Sequence, residues 1–152
     1  LDISRIDAGK MNLDVMDCDL FVLVEEISHM LMPRIEEKGL EFIIDIAETV
    51  PRFVVADPLR LKQILINLLT NAIKFTEHGE IVVDVCTEQR ADRKVKLHFS
   101  VQDTGTGIPP EKRQYIFEAF RQGDSSTTRR YGGTGLGLAV SSQIVNLMNG
   151  NF

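Results

Sequence analysis

The 152-residue chain has the length of one ordinary domain, with 17 Lys and Arg against 22 Asp and Glu and a net charge of −5. That balance argues against broad electrostatic capture of nucleic acid or of an anionic membrane. Hydrophobic residues at 43% and charged residues at 26% describe a soluble globular domain. The longest apolar run, Leu20 to Val24, is far too short to span a bilayer, and no signal peptide is visible. Cys18 and Cys86 form no CxxC and are expected to be isolated buried thiols of a reducing compartment.

Residues 1–10 set Leu1, Ile3 and Ile6 beside Asp2, Arg5, Asp7 and Lys10 and run into Gly9, which reads as the last turns of a helix. With no initiator Met, the chain is expected to be a piece of something longer. A short strand is expected over 11–17. Asp19 can cap a helix in which Leu20, Val24, Ile27, Leu31 and Ile35 recur every three or four positions, kinked at Pro33 and ended by Gly39. Alternation of Leu40, Phe42, Ile44 and Ile46 with Glu41, Ile43 and Asp45 predicts a strand, and Phe53 to Val55 a shorter one.

Asp57-Pro58 is a capping acid followed by a proline at the first helical position. From it Leu61, Leu65, Leu68 and Ala72 form an apolar stripe up to about Phe75, and Gly79 breaks the chain. Residues 80–87 and 94–102 predict a hairpin around the polar segment Glu88 to Arg93. In its second arm Val95, Leu97, Phe99 and Val101 face one way and Lys94, Lys96, His98 and Ser100 the other. After Ile108-Pro109-Pro110 a short helix is expected through Phe117. Residues 121–134 are nearly free of apolar side chains and read as a loop. A last helix runs from about Gly135 to Met148, with Leu136, Val140, Ile144 and Leu147 inward. The expected fold is α/β (α+β): a two-layer sandwich of a mixed sheet covered by helices on one face.

Three segments carry chemistry. Asn67, Asn71 and Lys74 share one face of the 58–76 helix. An amide oxygen is a neutral, hard ligand suited to Mg²⁺, and an ammonium suits a phosphate oxygen. An ordinary solvated helix face would look the same. Asp103 opens DTGTGIP, where Gly105 and Gly107 allow close backbone approach to a flat ligand. An ionised carboxylate only accepts hydrogen bonds, so it suits the exocyclic amine of adenine and is mismatched to the carbonyl of guanine. A tight Asx turn would also explain the pattern. Tyr131 to Leu138 (YGGTGLGL) is a glycine loop entering a helix, which offers backbone N–H groups to phosphates without matching a Walker A or dinucleotide fingerprint. Upstream, Arg121, Arg129 and Arg130 against Asp124 give a basic stretch suited to a lid.

The order Asn-x-x-x-Asn-Ala-x-Lys-Phe, Asp-x-Gly-x-Gly, Phe117-x-x-Phe120, Gly-x-Gly-x-Gly closely resembles the ATP-binding domain of sensor histidine kinases, from residue 12 onward. DSSTTRRYGGTGLGL is most similar to the hybrid type. The resemblance implies a Bergerat sandwich over 11–152 with an ATP lid at about 121–134, and a truncated C-terminus. Residues 1–10 would be the end of the second dimerisation helix and its linker. It further implies that Asn71 ligates Mg²⁺ with Asn67 alongside, and that Lys74 reaches the phosphates of ATP. Asp103 would hold the adenine amine, with Gly105, Gly107 and Ile108 at the base. Phe117 and Phe120 would anchor the lid, although two aromatics so spaced also suit plain core. Arg129 or Arg130 would contact phosphates, and the segment Gly133, Thr134, Gly135, Leu136 and Gly137 would cradle them.

The implied activity is that of a protein histidine kinase, with relay to a response regulator receiver domain. None of His29, His78 and His98 lies in an acceptor pattern, so the phosphoacceptor is expected on dimerisation helices outside this chain, and little activity from the chain alone. Related ATPases place a Glu where Asn67 stands, and an amide cannot act as a general base. Slow hydrolysis is therefore expected. A module that only senses ATP, or an anti-sigma-type serine kinase, would share the fold. No nucleic acid or membrane contact is expected. The location implied is cytoplasmic, whether or not the parent protein is membrane-anchored.

Overall fold

The computed structural model describes residues 11–113, 116 and 137–152. In chain order these form β1 (Met16–Asp19), α1 (Leu20–Glu37), β2 (Glu41–Ile46), β3 (Phe53–Ala56), α2 (Pro58–Phe75), β4 (Glu80–Ala91), β5 (Lys94–Asp103), α3 (Pro110–Arg113) and α4 (Gly137–Leu147). The expected end of a dimerisation helix at 1–10 lies outside the described residues.

The main sheet has the order β2-β4-β5, with β2 parallel and β5 antiparallel to β4. Strand alternation decides which face is covered. Ile81, Val83 and Val85 of β4 point under the helices and are buried, with Phe42, Ile46, Phe99 and Val101 packed against the same core. The opposing layer comes from Ile27, Leu31 and Ile35 of α1 and Leu61, Leu65, Leu69 and Ile73 of α2. A mixed sheet covered by helices is therefore what forms. Beside it stands an antiparallel ribbon of β1 and β3, with Cys18 opposite Val54. A smaller cluster of Met11, Ile64, Val140 and Ile144 joins α4 to α2.

Local chemistry sets the helix ends. Asp19 caps α1 by accepting from the backbone N–H groups of Phe21 and Val22. At the other end Gly39 takes φ +64°, its N–H bonding Glu36 O and that of Leu40 bonding Ile35 O. This is a Schellman stop, which a residue with a Cβ enters only under strain. Pro33 lies inside α1.

Several expectations need correction. The first strand covers 16–19 instead of 11–17, because its partner β3 offers only four residues and Asp14 is tied elsewhere, its N–H bonding Asp57 Oδ2. The segment Glu88 to Ala91 is strand, not turn: β4 and β5 pair to Ala91–Lys94 across a bulge between Thr87 and Gln89, and only Asp92-Arg93 turns. Asp92 has φ +51°, a conformation that Asp tolerates. Leu147 is 40% exposed, not inward, while Ala139 and Ser141 are buried beside Val140 and Ile144. Cys18 is buried as expected, but Cys86 is exposed, since it alternates with the buried Val85 on β4.

Candidate functional site

The site is organised by α2. Asp57, only 3% exposed, caps it through Oδ1, which accepts from Arg60 N at 3.0 Å, while Oδ2 accepts from Asp14 N at 2.9 Å. The leucine stripe then faces the sheet, leaving Asn67, Asn71 and Lys74 half-buried on other sides. Asn67 meets α4: its Nδ2 donates to Ser141 Oγ at 3.0 Å. A Cβ on Gly137 would stand 2.1 Å from Asn67 Oδ1, so a larger residue at the start of α4 would push the Asn67 amide aside. The Asn71 amide makes no hydrogen bond to any described residue. Lys74 Nζ lies 5.0 Å from the Phe75 ring centroid, a cation–π contact, and the side chain borders a cleft with Arg34, Glu37 and Lys38.

The C-terminal end of α2 meets the end of β5. Asp103 stands opposite Ile81 and so points to the helical side of the sheet. Its Oδ1 accepts from Gly105 N at 2.8 Å and from the hydroxyl of the fully buried Thr76 at 3.3 Å. Its Oδ2 accepts from no described residue, and the side chain remains reachable from solvent. The following turn is pinned against the helix end, with Thr106 N donating to Phe75 O at 3.2 Å. A Cβ on Gly105 would fall 2.4 Å from that same carbonyl oxygen. Gly107 has φ +67°, and Ile108 is 44% exposed beyond it.

The structure thus joins three of the sequence segments through one helix. Asn67 touches the entry of α4 at Gly137, and Thr76 and Phe75 touch Asp103, Gly105 and Thr106. Phe117, Phe120, Arg129, Arg130, Gly133, Thr134, Gly135 and Leu136, with the expected lid at 121–134, lie outside the described residues. Sequence reasoning missed Thr76 and Ser141, whose hydroxyls orient Asp103 and Asn67. For Ser141 the available signal was a hydroxyl on the apolar face of the last helix; Thr76, set among Lys74, Glu77 and His78, offered none. Among the described residues no group of three His, Cys, Asp or Glu could hold a metal.

Residues 56–152 match the family described as histidine kinase-, DNA gyrase B- and HSP90-like ATPases. The chain belongs to this family. It is 44% identical to the signal transduction histidine-protein kinase BarA of Escherichia coli (strain K12), over 99% of this chain and 16% of that protein. Against the sensory/regulatory protein RpfC of Xanthomonas campestris the identity is 40%, over 99% and 21%. The chain therefore spans about a sixth to a fifth of the length of these relatives. Among solved structures, full-length ShkA in complex with AMPPNP superposes with a TM-score of 0.80 at 35% identity, covering 97% of this chain and 29% of that one. A nucleotide-free catalytic domain of the histidine kinase ThkA gives 0.69 at 29% identity, covering 88% and 82%. The ATP-binding catalytic domain of sensor histidine kinases accounts for the fold, and the site segments lie within the matched residues.

Proposed function

We propose that the chain binds Mg²⁺–ATP at the end of α2 and donates the γ-phosphoryl group to a histidine on a dimerisation helix of the same kinase. The observation that carries this reading is Asp103, which has one carboxylate oxygen fixed by Gly105 and Thr76 and the other open. A pre-oriented acceptor over a glycine floor suits the exocyclic amine of adenine. Gly107 has open space around it where a base can lie, Gly105 lets the turn sit against the Phe75 carbonyl, and Ile108 is exposed at the edge.

The residues present fit a magnesium ion shared with phosphates. Mg²⁺ is commonly held by one or two protein oxygens together with substrate phosphates, and the Asn71 amide oxygen is uncommitted among the described residues. Asn67 lies one turn earlier, its amide nitrogen already spent on Ser141. The ion would neutralise charge on the phosphate oxygens. The chain itself binds and orients. Asp103 sets the base, Asn71 and Lys74 the phosphate end, and Gly137 opens α4, whose N-terminal N–H groups suit an anion. For Lys74 this requires leaving the Phe75 ring.

In the transfer the bond from the γ-phosphorus to the β–γ bridging oxygen breaks, a bond to an imidazole nitrogen forms, and ADP departs. Asn67 cannot abstract a proton from water, so catalysis rests on position and charge and favours transfer over hydrolysis. Residues 121–134 would act as the lid, with Arg129 or Arg130 on the phosphates, Phe117 and Phe120 at its base, and Gly133 to Leu136 as the cradle. Residues 1–10 would continue from the dimerisation helix. The phosphoryl group would pass to a receiver domain, and the location would be the cytoplasm. No helix of the described residues is long and apolar enough to cross a membrane.

Calorimetry with ATP and GTP tests the site. ATP is expected to bind at least ~10-fold more tightly than GTP, the scale of one charge-assisted hydrogen bond, and Asp103→Ala to abolish the difference. Equal affinities in the unsubstituted chain would refute the adenine assignment.

A further inference from the structure

Lys38 follows α1 as its C-cap residue, outside every segment singled out above. Its ammonium reaches across to the far end of α2. Nζ donates to the carbonyl oxygens of Ile73 at 2.8 Å, Thr76 at 3.0 Å and Lys74 at 3.4 Å, and lies 3.2 Å from Glu77 Oε1. An α-helix leaves its last carbonyls without intrahelical partners and carries partial negative charge there. One lysine at the end of α1 meets two of the last four carbonyls of α2 and that of its cap residue Thr76. Its side chain is only 29% exposed, while that of Glu77 is 75% exposed, so the carbonyl contacts are the better shielded ones.

One of the residues so held, Thr76, also holds Asp103. Thr76 gives its carbonyl to Lys38 and its hydroxyl to Asp103 Oδ1. Phe75, between Lys74 and Thr76, gives its carbonyl to Thr106 N and stands against Gly105. We infer that Lys38 is a positioning residue of the nucleotide site: by fixing the last turn of α2 it fixes the carboxylate of Asp103 where adenine's amine must meet it. The inference rests on the adenine reading of Asp103. It adds a residue from α1, remote in sequence, that governs base recognition without touching the base.

The test compares ATP with purine riboside triphosphate, which lacks only the exocyclic amine, by calorimetry on the full chain. The ratio of the two affinities isolates the Asp103–amine contact from phosphate and ribose binding. Lys38→Met is expected to lower the ratio by ~3–10-fold, part of what a charge-assisted hydrogen bond supplies, and to leave purine riboside triphosphate binding within about twofold. Lys38→Arg, which keeps a cation of similar reach, is expected to restore most of the ratio. Lys38→Gln is read in place of the methionine variant if that variant does not fold. A merely structural lysine would weaken both ligands together or neither, and either result overturns the proposal. Asp103→Ala separates the two failures. If it leaves the ratio unchanged, the adenine reading itself falls. If it collapses the ratio while Lys38→Met does not, only the role of Lys38 falls.

Discussion

At the scale of single residues, the glycines of the site differ in what they are for. Gly105 is required by a carbonyl oxygen 2.4 Å from the place a Cβ would occupy, and Gly107 by φ +67° with open space around it. Gly105→Ala must push Phe75 or the turn aside, so it is expected to cost about 1–3 kcal/mol in thermal or denaturant unfolding and to weaken ATP binding. Gly107→Ala should cost nearer ~1 kcal/mol, the usual price of a left-handed Cβ. Motif order and residue chemistry single out Asp103, Gly105, Gly107, Asn67 and Asn71 as candidate site positions. Thr76, Ser141 and Lys38 are not singled out, because their roles depend on which segments meet, and one sequence does not contain that information. Lys74 shows the same limit. Its place on the helix was predictable, but its contact with Phe75 follows from side-chain packing at the helix end.

At the scale of elements, caps and periodicity made α1, α2 and the hairpin readable, while the missed boundaries came from pairing. The polar stretch Glu88 to Ala91 lacks a strand pattern of its own and extends because β5 runs opposite it. Asp57 is the sharpest element-level test. It serves both the start of α2 and the backbone of Asp14, so Asp57→Ala should lower stability by about 1–3 kcal/mol, more than an ordinary cap.

Asp19 caps α1 in the same way, and the Arg52 guanidinium bonded to it at 2.8 Å holds its carboxyl below the usual carboxylate range. A depressed folded-state value stabilises above the unfolded pKa, and that contribution disappears as pH falls through the folded one. Arg52→Gln is therefore expected to raise the titration midpoint of Asp19 by NMR and to shift acid unfolding slightly to higher pH. An unmoved Asp19 midpoint would contradict the assignment. The two thiols make a third element-level contrast. Burial, with the Asp19 charge, pushes the Cys18 thiol up, whereas Cys86 stands exposed on the outer face of β4. Thiol alkylation of the native chain should modify Cys86 first and Cys18 only on unfolding.

For the whole molecule, a net charge of −5 looked unpromising for an anionic ligand, yet the fold explains how an acidic chain suits one. One helix, α2, meets a fixed carboxylate at its C-terminal end and the entry of α4 at Asn67, and between them carries an amide uncommitted among the described residues, so local chemistry can outweigh the average charge. In the proposed reading, the amide at Asn67 favours phosphoryl transfer over hydrolysis, since it cannot act as a general base. The central claim is that the chain is the donor half of a transfer to histidine. It is tested by incubating the chain with γ-labelled ATP, Mg²⁺ and the dimerisation helices of the same kinase supplied as a separate polypeptide. The account predicts label on those helices that is lost in acid and kept in alkali, as a phosphorus–nitrogen bond requires, and that disappears with Asn71→Ala. ATP binding without any transfer to the helices, or an acid-stable label on a hydroxyl, would contradict it.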